Sequence, residues 1–162
     1  MKSKKNPFKE LVILAIDPAS HKAGVALFID DQVYSAQIIG FQGSVWSERI
    51  FQQREQLDKF LTQHLKSGIV NTLVVENLTG FGHAKLSYSV GSLCSLPAIK
   101  SELNLIATST WKAMARRCGC PDKDPKGIKA LTFVRPDLAQ NCKSDDEADA
   151  ILIGLAYLEK GI

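Results

Sequence analysis

The sequence predicts a mixed α/β layer fold, and three observations carry that expectation. Three strand-like runs joined by tight turns open the chain, short apolar β-branched runs then alternate with stretches of helical period, and helices follow the later strands. The resulting order, β-β-β-α-β-α-β-α, is that of a layered α/β domain. With 162 residues, 45% hydrophobic and 23% charged, the chain suits one domain, since division into several usually begins beyond roughly 250 residues. We expect a basic arm over residues 1–10, where Lys2, Lys4, Lys5 and Lys9 face Glu10 alone, and a single domain over 11–162.

Each element has a local reason. Leu11–Ile16 is continuously apolar, as in a strand covered on both faces, and Asp17-Pro18 closes it. Ala23–Ile29 and Gln32–Ile39 flank Asp30-Asp31, a tight antiparallel turn, so the first three strands form a meander. From Ser47 to Lys66 the period changes, with Ile50, Leu57, Leu61 and Leu65 on one side of an amphipathic helix that Gly68 ends. Thr72–Glu76 is a fourth strand, apolar until its acidic last residue, and a Gly80-Phe81-Gly82 loop follows. Ser87–Glu102 reads as a helix broken near Pro97, with Leu93, Leu96 and Ile99 serving either a dimer surface or the core. Leu103–Thr108 is a fifth strand. Thr108 or Ser109 caps a helix through Arg117, Asp124-Pro125 begins another to about Arg135, and Ser144 or Asp145 caps a last one to Glu159.

Several function classes drop out. The longest apolar runs, Leu11–Ile16 and Ile151–Leu158, fall well short of the ~20 residues of a membrane-spanning helix, so no membrane partner is expected. No secretory signal is legible, and a cytoplasmic location is the expectation. Cys118-Gly-Cys120 lacks the spacer of a zinc knuckle, which leaves reduced thiols as the default for the four cysteines. The net charge of +3 is compatible with a strongly basic surface beside an acidic one.

The acidic residues are the informative ones. Asp17 and Glu76 each end a strand, and open α/β sheets bind ligands beyond the carboxyl ends of their strands. Asp146 and Asp149 lie three apart at the start of the last helix and share a face, with Asp145 and Glu147 beside them as capping and dipole partners. Taken singly, Asp17 as a turn cap and Glu76 as a loop start are ordinary. Taken together, four carboxylates from three segments with no interleaved cations would repel one another, and hard divalent cations, Mg²⁺ or Mn²⁺, are the natural occupants.

The motifs Ala15-Ile-Asp17-Pro18-Ala-Ser-His-Lys-Ala-Gly24, Val74-Val-Glu76-Asn and Asp146-Glu-Ala-Asp149-Ala150 resemble, in order and strand context, the acidic tetrad of RuvC-type Holliday junction resolvases of the RNase H-like nuclease and integrase superfamily. The resemblance runs from about Leu11 to Leu158. It departs at Ala15 and Ala19, where the first motif commonly has glycine, without removing an acid. It implies an RNase H-like five-stranded mixed sheet flanked by helices, with Asp17, Glu76, Asp146 and Asp149 as catalytic ligands of two cations. It also implies a homodimer that cuts two opposed strands of a four-way DNA junction, leaving 5′-phosphate and 3′-hydroxyl ends. Lys112, in Thr110-Trp-Lys112, aligns with an active-site lysine of such enzymes, where it would stabilise transition-state charge.

Between Lys112 and Lys143 stand eight basic residues against the acidic Asp122, Asp124 and Asp137. A charge run is ordinarily a solvated face, but its place just before the acidic pair suits phosphate contact. Arg116, Arg117, Lys126, Lys129 and, beyond the glycine loop, Lys85 are the candidate DNA contacts. Phe81 corresponds to a loop aromatic that stacks on bases in related resolvases, its alternative role being to pin the loop. Trp46 and Trp111 are expected in core or edge packing, and His21 and His83 at the surface. The alternatives are another RNase H-like nuclease acting on branched DNA or RNA–DNA hybrid, and a junction-binding protein without catalysis. An actin-like kinase would need a second half for which the length leaves no room.

Overall fold

A computed structural model of the chain describes residues 11–19, 21–41, 43–66, 68–77 and 84–160. The elements run β1 (Val12–Asp17), β2 (Lys22–Ile29), β3 (Gln32–Ile39), α1 (Trp46–His64), β4 (Thr72–Glu76), α2 (Ala84–Cys94), β5 (Leu103–Ile106), α3 (Thr108–Arg117), α4 (Gly127–Val134), α5 (Pro136–Ala139) and α6 (Asp145–Glu159). The five strands form one mixed sheet in the order β3-β2-β1-β4-β5, antiparallel through β1–β2–β3 and parallel through β1–β4–β5. The turn of the β2–β3 hairpin is Asp30-Asp31, with Asp30 in the left-handed region at φ 49°, a conformation aspartate tolerates better than most residues.

Strand alternation divides the core into two layers. Ile13, Ala15, Ala26, Phe28, Val74 and Ile106 face the cluster formed with α3, α4 and α6, whereas Val12, Leu14, Ile16, Val25, Leu27, Leu73 and Val75 face the one formed with α1 and α2. Central strands that are buried on both faces must be apolar at every position, which is why β1 reads as an unbroken run. Gly154 lets α6 settle onto the sheet: a Cβ there would stand 2.2 Å from the Phe28 ring.

The stretch from α2 to α5 differs from the sequence expectation. The helix placed over Ser87–Glu102 is Ala84–Cys94, ending before Pro97 in turns such as Leu96 N–H to Leu93 O at 3.3 Å. Leu93 and Leu96 are buried and Ile99 packs against the same layer, so these side chains belong to the core. β5 stops at Ile106, and Ala107, without a side-chain cap, precedes α3. The helix assigned to Asp124 begins instead at Gly127, because its first amides are met by side chains of α6. The single turn α5, opened by Pro136, was not anticipated.

Candidate active site

Sheet register builds the site. β1 and β4 pair in parallel with Ile16 opposite Val75, so Asp17 and Glu76 are the next residues along two neighbouring strands. Both lie two positions beyond residues of the α6-facing layer, Ala15 and Val74, and alternation directs both to that side. Asp17 pairs with Gly24 on β2, and Gly24 with Gln37 on β3, which extends the row to the sheet edge.

Above this row sits the amino end of α6. Gly24 makes the approach possible, since a Cβ there would lie 1.8 Å from the Asp146 carbonyl oxygen. Ser144 caps the helix, its hydroxyl accepting from the Glu147 N–H at 3.3 Å. The structure therefore brings Asp17, Glu76, Asp146 and Asp149 together at one end of the sheet, within electrostatic range of one another.

Their proximity is costly in charge. Asp17 is raised from 3.8 to about 8, first by burial, then by the charges of Glu76, Asp149 and Asp146 and a hydrogen bond shared with Glu76. Asp149 is raised from 3.8 to about 6, again chiefly by burial, against a lowering contribution from the Gly127 N–H. The side chains relax by leaning on separate donors. Trp111 Nε1 donates to Glu76 Oε1 at 2.9 Å, Gly127 N–H to Asp149 Oδ1 at 2.6 Å, and Gln37 Nε2 to Asp146 Oδ2. Among the described residues, no three His, Cys, Asp or Glu side chains converge into a ready-made chelate.

The neighbours of the pair on α6 do other things than expected. Glu147 lies in the first turn of α6 as expected but is buried, and Ser35 Oγ of β3 donates to its Oε2 at 3.0 Å. It also helps raise the Cys142 thiol, after burial. Asp145 caps α4, not its own helix, accepting from the Ile128 N–H at 2.9 Å.

The cations are partly committed. Lys112 pairs with Asp124 and lies 5.3 Å from the Trp111 ring centroid, next to the site rather than on the acids. Lys129 pairs with Asp122 at 2.8 Å, Arg117 with Glu159 at 2.5 Å, and Arg135 with Asp137 at 2.7 Å. Arg116 donates to the Lys123 carbonyl at 3.1 Å, and Lys126 is exposed just ahead of α4. Lys85 lies in α2, with its side chain outside the described residues, as are Phe81, Gly80, Gly82, His83 and the arm over 1–10. His21 is exposed, and Trp111 is core as expected but also reaches Glu76. Neither Trp111 nor Gln37 carried a sequence signal as a partner of the acids; Gly24 did, as the last residue of the first motif.

No protein-family model matches the chain, and no curated protein matches it. Among solved structures it is similar to RuvC of Thermus thermophilus in complex with a Holliday junction substrate, at 15% identity and a TM-score of 0.60 over 93% of this chain and 96% of that one. A second Thermus thermophilus RuvC structure matches at 16% identity and a TM-score of 0.64, with the same coverage. At that level of identity the likeness is one of architecture, and its conclusion is that this chain has the RNase H-like fold of RuvC.

Proposed function

We propose that the protein is a structure-selective DNA endonuclease that resolves four-way junctions by divalent-metal-dependent phosphodiester hydrolysis, leaving 5′-phosphate and 3′-hydroxyl ends. The observation that carries this reading is the meeting of four carboxyls from β1, β4 and α6, with Asp17 raised to about 8 in their midst. The donor set is hard oxygen throughout, and its charges are answered by neutral donors rather than by lysine or arginine, which fits Mg²⁺ or Mn²⁺. Asp17, Glu76, Asp146 and Asp149 would hold two such ions. When bound, they supply Lewis acidity to the scissile phosphate and to the attacking water.

The protein's own groups do the rest. Glu76, Asp146 and Asp149 each have one oxygen engaged by a neutral donor, which restrains the carboxyl without cancelling its charge. Lys112, one residue beyond Trp111 and paired with Asp124, would turn to a phosphate oxygen when DNA binds, where its charge offsets that developing in the transition state. Arg116, Arg117, Lys126, Lys129 and Lys85 serve as DNA contacts that set register, and Phe81 stacks at the branch point. The likeness to a RuvC structure that holds a Holliday junction substrate supports four-way DNA as the substrate, and a homodimer supplies one site for each of two opposed strands. The test is a substrate panel with Mg²⁺. We expect preferential, paired cleavage of a pre-formed four-way junction over duplex, flap and RNA–DNA hybrid; equal cleavage of all four rules the assignment out.

A further inference from the structure

Trp111 is an unusual neighbour for an active-site acid. It is 3% exposed, in the first turns of α3, and packs in the α6-facing layer together with Met114 and Ala115. Its indole N–H nevertheless points out of that layer and donates to Glu76 Oε1 at 2.9 Å. A buried indole needs an acceptor for its only polar group, and here the acceptor is one of the four carboxyls. The other tryptophan makes the contrast, since Trp46 Nε1 is buried without a partner among the described residues.

The chemistry of the donor matters. An arginine or lysine at this position would cancel the charge of Glu76 and compete with any cation for it. An indole N–H carries no net charge, and its position is set by a ring held in the core. It therefore fixes one oxygen of a side chain with three rotatable bonds and leaves the charge uncancelled. The same kind of neutral donor meets Asp146 from Gln37 and Asp149 from Gly127.

We propose that Trp111 is the positioning residue of Glu76: its N–H holds the carboxyl in the orientation needed for cation binding and turnover. The inference rests on the nuclease reading above and is separable from it. Trp111→Phe keeps an aromatic ring in the core, though a smaller one, and removes the N–H. By the magnitude typical of groups that orient metal ligands, its kcat should fall about ten- to hundred-fold, while KM for the junction stays within about two-fold because no DNA contact is lost. A direct readout needs neither metal nor activity. In ¹H–¹⁵N spectra of the whole protein, the Trp111 indole resonance, identified by its disappearance in Trp111→Phe, should lie downfield of that of Trp46. It should move upfield in Glu76→Gln, while the Trp46 resonance stays in place.

An indole resonance indifferent to Glu76→Gln overturns the inference, and so does wild-type kcat in Trp111→Phe, or a loss confined to KM. Were Trp111→Phe to melt early, the Glu76→Gln comparison in the wild-type background would still decide, with the resonance that remains in Trp46→Phe assigned to Trp111. Cleavage retained by Glu76→Gln would overturn the metal-holding role of Glu76 on which the inference rests, which wild-type kcat in Trp111→Phe beside an inactive Glu76→Gln would not.

Discussion

The Asp149 carboxyl accepts the Gly127 backbone N–H at 2.6 Å, so an acid of the candidate site also serves as the N-terminal cap of α4. Gly127 adopts φ 61° there, and a Cβ on it would collide with Asp145 at 2.0 Å, so α4 can start in this place only on a glycine. The middle of the basic stretch and the acidic pair are thereby tied into one unit.

This double duty separates two substitutions. Asp149→Asn keeps an oxygen for the Gly127 amide, and we expect it to melt no lower than the wild type while losing cleavage. Asp149→Ala removes the cap as well and should lose about 1 kcal/mol of stability in addition to activity. Thermal melts beside a cleavage assay check both; an active Asp149→Asn would contradict the role assigned to this acid.

The metal-free protein should show its strain in pH. Asp17 and Asp149 have folded values of about 8 and about 6 against 3.8, so the folded state binds protons more tightly than the unfolded one. The associated stability is present in full below pH 3.8 and is lost as pH rises through about 6 and then about 8. Asp17→Asn cannot ionise, so its melting temperature should gain on that of the wild type progressively between about pH 4 and about pH 8 and level off above. A constant difference across that range would be the contrary result.

Gly24→Ala should be among the most damaging small substitutions. The new methyl would meet the Asp146 backbone oxygen at 1.8 Å, and neither α6 nor β2 can yield without disturbing the core on that side. We expect a loss of about 3 kcal/mol in denaturant titration. Gly91→Ala, where nothing stands within 4 Å, is the matched control.

Salt dependence should distinguish the basic residues. Lys126 is exposed, whereas Lys129 is paired with Asp122 at 2.8 Å. If Lys126 releases one counterion on contact, Lys126→Ala should reduce the slope of log affinity against log salt for junction DNA by about 0.9. Lys129→Ala should reduce it less, because its ammonium already has a carboxylate partner. Fluorescence anisotropy across a salt series reads both.

Much of this was legible before any coordinates. An unbroken apolar run such as Leu11–Ile16 reads as a strand with both faces covered, and the acid that follows it as one at the sheet's end. The same holds for Thr72–Glu76, and a spacing of three puts Asp146 and Asp149 on one face of α6. These inferences rest on chain geometry, which is local. The limits of α2 and α4 were not legible, because α2 ends ahead of Pro97 in a turn closed by its own backbone and α4 begins where Asp145 and Asp149 happen to arrive.

By itself, then, the sequence determined the sheet, the acids and the end of the sheet at which they lie. Only the tertiary structure decided the rotation of α6 about its own axis, which Gly24 and Gly154 permit by letting the helix approach the sheet. That rotation buries Glu147 against Ser35 and offers Asp146 to Gln37. The packing of α3 likewise brings the Trp111 indole to Glu76. Periodicity records the angles between residues on one helix, but not the phase of that helix against its neighbours, and hydrogen bonds between distant segments depend on that phase.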